Sequence, residues 1–162
     1  MKIEQLSPNG FKLENVFDSE LLAEISLRCD TFVPWQTRRS DTSKREVDQI
    51  LDDELRVSLA KLFNPVTKTI GLGIELWRDY PGYTNPYHID DPQLQNIIIV
   101  YLGSEELETG TGYIEETHFK IPYKKNTGIM LFNSDKIMHG MVGQVPGDIV
   151  RKSLYINWNN RE

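Results

Sequence analysis

Three short pieces of this sequence carry residue types that do chemistry together: His88-Ile89-Asp90, Met138-His139-Gly140 and Arg151-Lys152-Ser153. Two residues apart on a strand, His88 and Asp90 project from the same face. An imidazole and a carboxylate pointing the same way are two thirds of a mixed nitrogen–oxygen metal site. Asp91, one step further, points to the other face. The spacing alone is not distinctive, since three histidines and eleven aspartates in 162 residues give ~0.2 accidental occurrences of His-x-Asp. A third ligand must come from a distant strand. His139 is the better candidate and His118 the rival, because His139 follows a strand and a turn that can return it beside His88. Arg151 lies twelve positions later. Its guanidinium is always charged and forks onto carboxylates, so an inward-facing Arg151 requires an anion, and no acidic residue stands out by position as its partner.

The elements that must position these groups follow from periodicity. Residues 1–17 read as a short strand or extended lead-in anchored by Phe11, Leu13, Val16 and Phe17. Asp18 is an N-cap for a helix to about Asp30, with Leu21, Leu22 and Ile25 on one face. Pro34 stops that pattern. Residues 33–42 are polar and contain Trp35, Arg38 and Arg39, either as a solvated connection or as a loop overhanging a site. Ser43-x-x-Glu46 has the form of a capping box. It predicts a second helix carrying Val47, Ile50, Leu51, Leu55, Leu59 and Leu62, ended by Asn64-Pro65.

After Thr69 the period changes. Ile70–Trp77, Asn96–Leu102, Thr111–Glu115, His118–Pro122, Gly128–Asn133, Met138–Val142 and Val150–Trp158 are β-rich segments separated by Gly, Pro, Asn and Asp. Their number and spacing predict a sandwich or barrel. In the last segment Arg151, Ser153, Tyr155 and Asn157 alternate with Lys152, Leu154, Ile156 and Trp158. The apolar set is expected to meet the helices and the polar set to line an interior that a ligand, metal or water must satisfy. The expected organisation is one domain over residues 1–162, with a helical N-terminal support (1–66) and a β core carrying the site (67–160).

Composition narrows the partners. A net charge of −6 disfavours nucleic acid. The longest apolar run, Ile97 to Leu102, is too short to span a bilayer. The stretch Met1-Lys2-Ile3-Glu4-Gln5 has no apolar signal region. The single cysteine, Cys29, excludes an internal disulfide, reads as a small buried residue, and fits a reducing cytoplasm.

Taken in order, Tyr80-Pro81-Gly82, His88-x-Asp90, Tyr101-Leu102, Gly110-Thr111-Gly112, His139 and Arg151-x-Ser153 resemble the iron(II)- and 2-oxoglutarate-dependent oxygenases. The Tyr-Pro-Gly lead-in and the Tyr-Leu pair are most similar to the prolyl-hydroxylase branch. The resemblance covers about residues 70–158. It implies a double-stranded β-helix, a jelly-roll- or cupin-like barrel with two amphipathic helices packed on its outer face. It implies Fe(II) held by His88, Asp90 and His139, and 2-oxoglutarate and O2 as cosubstrates. Arg151 would receive the distal carboxylate of 2-oxoglutarate, with Tyr80, Tyr101 and Ser153 as further contacts, and His118 would be structural or at the surface. The implied reaction is hydroxylation of a peptidyl proline or a small amino-acid-like substrate, with release of succinate and CO2. Trp35, Arg38, Arg39, Tyr83 and Tyr87 are the candidates for touching a small-molecule or peptide substrate. Two other readings share the barrel: a cupin-like metal enzyme of another reaction type, which leaves Arg151 without a task, and a non-catalytic binding module. The His139-to-Arg151 step is longer than the family pattern, and oligomeric state is open.

Overall fold

The computed structural model describes residues 1–40, 43–51, 53–68 and 71–159. Chain order is β1 (Lys2–Gln5), β2 (Gly10–Glu14), α1 (Ser19–Thr31), β3 (Gln36–Arg39), β4 (Lys44–Gln49), α2 (Asp53–Thr67) and β5 (Gly73–Asp79). It continues with β6 (Asn96–Tyr101), β7 (Leu107–Glu115), β8 (Thr117–Tyr123), β9 (Thr127–Leu131), β10 (Met138–Met141) and β11 (Arg151–Trp158). The protein is mainly β, with two helices among the described residues. Eight strands form one open sheet in the order β1-β2-β9-β6-β11-β5-β4-β3, and β10-β7-β8 form a second. Both edge strands of the large sheet, β1 and β3, are exposed and rich in charged or polar side chains, a composition that discourages edge-to-edge pairing.

The alternation expected in the last strand holds. Leu154, Ile156 and Trp158 share one apolar cluster with Ile25 and Cys29 of α1 and with Leu55, Leu59 and Phe63 of α2. Ile74, Leu76, Ile98 and Val100 join it from neighbouring strands. Tyr155 belongs to a second cluster with Trp77, Ile97, Ile99, Tyr101, Tyr113 and Tyr123. One face of the large sheet therefore packs with the helices, and the other looks toward the small sheet. Cys29 is fully buried and donates to the Trp77 carbonyl. Burial pushes its thiol up to about 12, as expected of an inert core cysteine.

The N-terminal support differs from expectation. It contributes four strands as well as the helices. Asp18 caps α1 as read, accepting from the Leu21 amide. Ser43-x-x-Glu46, however, opens no helix. It runs into β4, where Ser43 donates to the Tyr80 carbonyl and Glu46 pairs across the sheet with Arg78. Local types satisfied a capping box, but Arg45, Val47 and Gln49 alternate with period two, and pairing with β5 wins. The second helix starts only at Asp53, and Pro65 lies inside its last turn. The helix stops at Lys68, which adopts φ +53°. The predicted strand from Ile70 is observed from Gly73, its first residue lying outside the described residues. Residues 41 and 42 of the polar connection lie outside them too.

Candidate metal and cosubstrate site

His88 stands in the loop after β5, and His139 on β10. Their backbones form an isolated antiparallel bridge, each amide donating to the other's carbonyl at 2.8 Å. The pairing sets the two imidazoles side by side, with ring centroids 4.7 Å apart. Gly140 allows the close approach, because a Cβ there would lie 2.8 Å from the backbone of Pro86 and Tyr87. The Asp90 amide donates to the Ser134 carbonyl, which turns the carboxylate toward both rings. Its oxygens lie 3.5 Å from His88 Nε2 and 3.4 Å from His139 Nε2. One ligand atom from each residue falls within 4.8 Å of the others.

Each ring is anchored from behind. His88 Nδ1 meets the Pro86 carbonyl at 2.7 Å, and His139 Nδ1 meets the Ile137 carbonyl at 2.8 Å. A carbonyl can only accept, so each Nδ1 donates to it, and each Nε2 is turned inward toward Asp90. Burial pushes the Asp90 carboxyl up, but the imidazoles of His139 and His88 outweigh it and hold it well below the usual carboxylate range. The His88 imidazole is raised, chiefly by Asp90. Asp90 Oδ2 is buried without a hydrogen-bond partner of good geometry among the described residues. Two inward Nε2 atoms and a carboxylate within 4.8 Å of one another are a donor set that fits a divalent cation of the type bound by two histidines and a carboxylate. His118 stands apart, bonded to the Tyr87 hydroxyl at 2.6 Å. Asp91 turns away and accepts from the Gln93 amide.

His88, Asp90 and His139 sit on the wall of a cavity of about 360 Å³. Trp77 and Tyr155, stacked at 4.2 Å, form one side of it. Arg151 lies at the cavity too and is 1% exposed. It does have an acidic partner: Asp79, opposite it in register on β5, accepts from its Nε at 3.2 Å and Nη2 at 2.9 Å. Its Nη1 donates to the carbonyls of Thr109 and Gly110. Thr111 completes this end and accepts from the Tyr101 hydroxyl at 2.8 Å, which places Tyr101 just behind the wall. Ser153, the cross-strand neighbour of Tyr101, is fully buried and its hydroxyl has no partner among the described residues.

The other expected contacts divide. Arg38 lines the cavity mouth, with Nη2 3.5 Å from Glu75. Tyr80 follows Asp79, so alternation turns it outward, and its hydroxyl donates to Glu46 at 2.7 Å rather than reaching the cavity. Trp35 is exposed and Arg39 is on the opposite face of β3 from Arg38; neither lines the cavity. Tyr83 is buried with Met141 and Val145. Tyr87 packs over Gly112, where a Cβ would meet its hydroxyl. Sequence reading missed Arg45 and Asp79. Arg45 was assigned to a helix, and Asp79 adjoins the motif but was given no partner. The alternation of Arg45, Val47 and Gln49 was the available signal.

No protein-family profile and no curated protein sequence matches this chain. Solved structures do. The 2OG-Fe(II) oxygenase-family oxidoreductase of Burkholderia pseudomallei superposes with a TM-score of 0.74 at 14% identity, over 92% of this chain and 84% of that one. A Trichoplax adhaerens prolyl hydroxylase, in complex with a hypoxia inducible factor peptide fragment, gives 0.71 at 13%, over 93% and 83%. HygX of Streptomyces hygroscopicus, with nickel, 2-oxoglutarate and hygromycin B bound, gives 0.64 at 13%, over 92% and 82%. The fold is that of the 2-oxoglutarate oxygenases, prolyl hydroxylases among them.

Proposed function

We propose that this protein is an Fe(II)- and 2-oxoglutarate-dependent dioxygenase, built as a double-stranded β-helix with α1 and α2 on its outer face. It hydroxylates a C–H bond of a peptidyl proline or a small amino-acid-like substrate. In the balanced reaction, substrate, 2-oxoglutarate and O2 give hydroxylated substrate, succinate and CO2. One observation carries the reading: His88, Asp90 and His139 converge on the same cavity as the buried Arg151.

The residues divide the work. His88, Asp90 and His139 hold Fe(II), whose chemistry with O2 and the keto acid supplies the oxidising power. The Pro86 and Ile137 carbonyls accept from Nδ1 of each ring and aim both Nε2 atoms inward. Arg151 receives the distal carboxylate, with Thr111, Tyr101 and Ser153 around it. The Trp77–Tyr155 stack with Leu94, Ile97 and Ile99 excludes water from the reacting end. A cavity near the lower end of the ~300–1,000 Å³ usual for small ligands suits the cosubstrate plus one ring or side chain. The rest of a peptide would pass the mouth at Arg38.

Anaerobic addition of Fe(II) and 2-oxoglutarate is expected to produce a weak visible charge-transfer band. Its absence from folded protein at saturating ligand would overturn the proposal. Succinate release coupled to proline peptides and to free amino acids then separates the two substrate classes.

A further inference from the structure

A second arginine faces the Arg151 end of the cavity. Arg45 on β4 is 2% exposed and lines the cavity. Asp79 is its register partner on one side and that of Arg151 on the other, so Arg45, Asp79 and Arg151 form one row across three strands. Arg45 Nε meets Asp79 Oδ1 at 2.5 Å, and Nη2 meets Oδ2 at 2.9 Å. The guanidinium lies 3.8 Å from the Trp77 ring centroid and 4.8 Å from that of Tyr83, which fixes its plane.

Counting donors separates the two arginines. A guanidinium has five N–H groups. Arg151 commits one on Nε, two on Nη1 and one on Nη2, which leaves a single N–H. Arg45 commits one on Nε and one on Nη2. Three remain, including both on Nη1, with no partner among the described residues. Charge points the same way. Arg151 facing Asp79 alone would be a neutral pair, and its carboxylate would repel an anionic ligand. Arg45 restores one positive charge to the row. Burial pushes the Asp79 carboxyl up, but Arg45 and Arg151 outweigh it and keep it ionised. Glu75 also lines the cavity, but its carboxylate accepts from Trp77 Nε1 and faces Arg38, so the row keeps its surplus positive charge and is suited to one further anion.

We propose that Arg45 and Arg151 together recognise the distal carboxylate of the 2-oxo acid, with Asp79 clamping both guanidinium groups and Arg45 supplying the open donors and the surplus charge. This rests on the function proposed above and adds a residue to it from outside the segment that resembles the oxygenases.

The test is calorimetric binding to the Mn(II)-loaded protein without oxygen, comparing 2-oxoglutarate with 2-oxopentanoate. The two have the same chain length, but the second ends in a methyl group. Arg45→Gln is expected to weaken 2-oxoglutarate binding about 10–100-fold, the scale of a lost charged hydrogen bond, and to leave 2-oxopentanoate unchanged. Arg45→Asn would shorten the side chain, so glutamine is the better match. Adding Asp79→Asn to Arg45→Gln restores the net charge of the row and should recover much of the loss. If Arg45→Gln weakens both acids equally, its role is structural and the proposal is overturned. It is also overturned if 2-oxoglutarate binding does not change. Should Arg45→Gln not fold, Arg45→Lys is read by the same ratio, with a smaller loss expected for 2-oxoglutarate alone. Failure of the unsubstituted protein to bind either acid overturns the function reading itself, and with it this inference.

Discussion

The two ends of the cavity are built on different principles. At the metal end, backbone hydrogen bonds do the positioning. The His88–His139 bridge, the Asp90-to-Ser134 bond and two carbonyl anchors bring the three side chains together, with Asp90 Oδ2 3.4 Å from His139 Nε2. At the arginine end, charges position one another, and Asp79 accepts from both Arg45 and Arg151. The first end gathers two imidazoles and a carboxylate in a set that could hold a metal ion. At the second, the bonds to Asp79 help hold β4, β5 and β11 together, while the row keeps one more positive charge than negative and open N–H groups on Arg45. Function at the metal end is thus separable from stability, whereas at the arginine end the two are coupled.

His139→Ala tests the first half of that contrast and carries the largest expected effect. Loss of an outer hydrogen-bond partner of a metal ligand typically costs ~10–100-fold in metal affinity, so loss of the ligand itself should cost more, read by Mn(II) titration. The metal-free variant should unfold within about 1 kcal/mol of the parent, because the bridge to His88 is made by backbone atoms. A much larger loss of stability would show that the ring holds the fold and would break the comparison. Arg151→Ala tests the other half. It should weaken 2-oxoglutarate binding by roughly 10²–10³-fold. It should also lower stability by about 1–3 kcal/mol, less than the ~3–5 of a fully broken buried pair, because Arg45 still faces Asp79. Denaturant unfolding separates the effects: affinity lost without stability would place Arg151 outside the ionic row.

How far each end was legible in the sequence follows the same division. His88 and Asp90 are close in chain and His139 follows turn residues; Asp90 was separated from Asp91 by strand parity, whereas the segment is a loop in which the Asp90 amide bond to Ser134 does the turning. Most of the β segments after residue 69 appear within a few residues of their predicted ends, since alternation and turn residues mark them. The arginine end depends on which strands become neighbours. Asp79 meets Arg45 and Arg151 only because β5 lies between β4 and β11, and no local pattern states that order. The capping-box reading concealed β4, and Arg45 with it. Tyr80 shows the opposite error: its place in the motif suggested a cosubstrate contact, and one step of alternation past Asp79 turns it outward.

The outer face of the same two strands offers the smallest and sharpest comparison. Arg45–Asp79 lies inside, and one residue along, Glu46–Arg78 lies outside in the adjacent register position. Glu46 accepts from Lys44 at 2.6 Å and from the Tyr80 hydroxyl at 2.7 Å, and it pairs with Arg78 at 2.8 Å. Burial pushes its carboxyl up, but Lys44, Tyr80 and Arg78 outweigh this and lower it. A carboxyl lowered on folding contributes stability that is full above its unfolded value of about 4.3 and is lost as pH falls through the folded value. Glu46→Gln should therefore cost about 1 kcal/mol at neutral pH, in the range of partly exposed charged pairs, with no effect on 2-oxoglutarate affinity. The difference in stability from the parent should shrink below the ordinary carboxylate range and vanish once Glu46 is protonated in both states. A difference that persists in acid would assign the effect to packing, and a change in cosubstrate affinity would mean that the two faces of β4 are coupled.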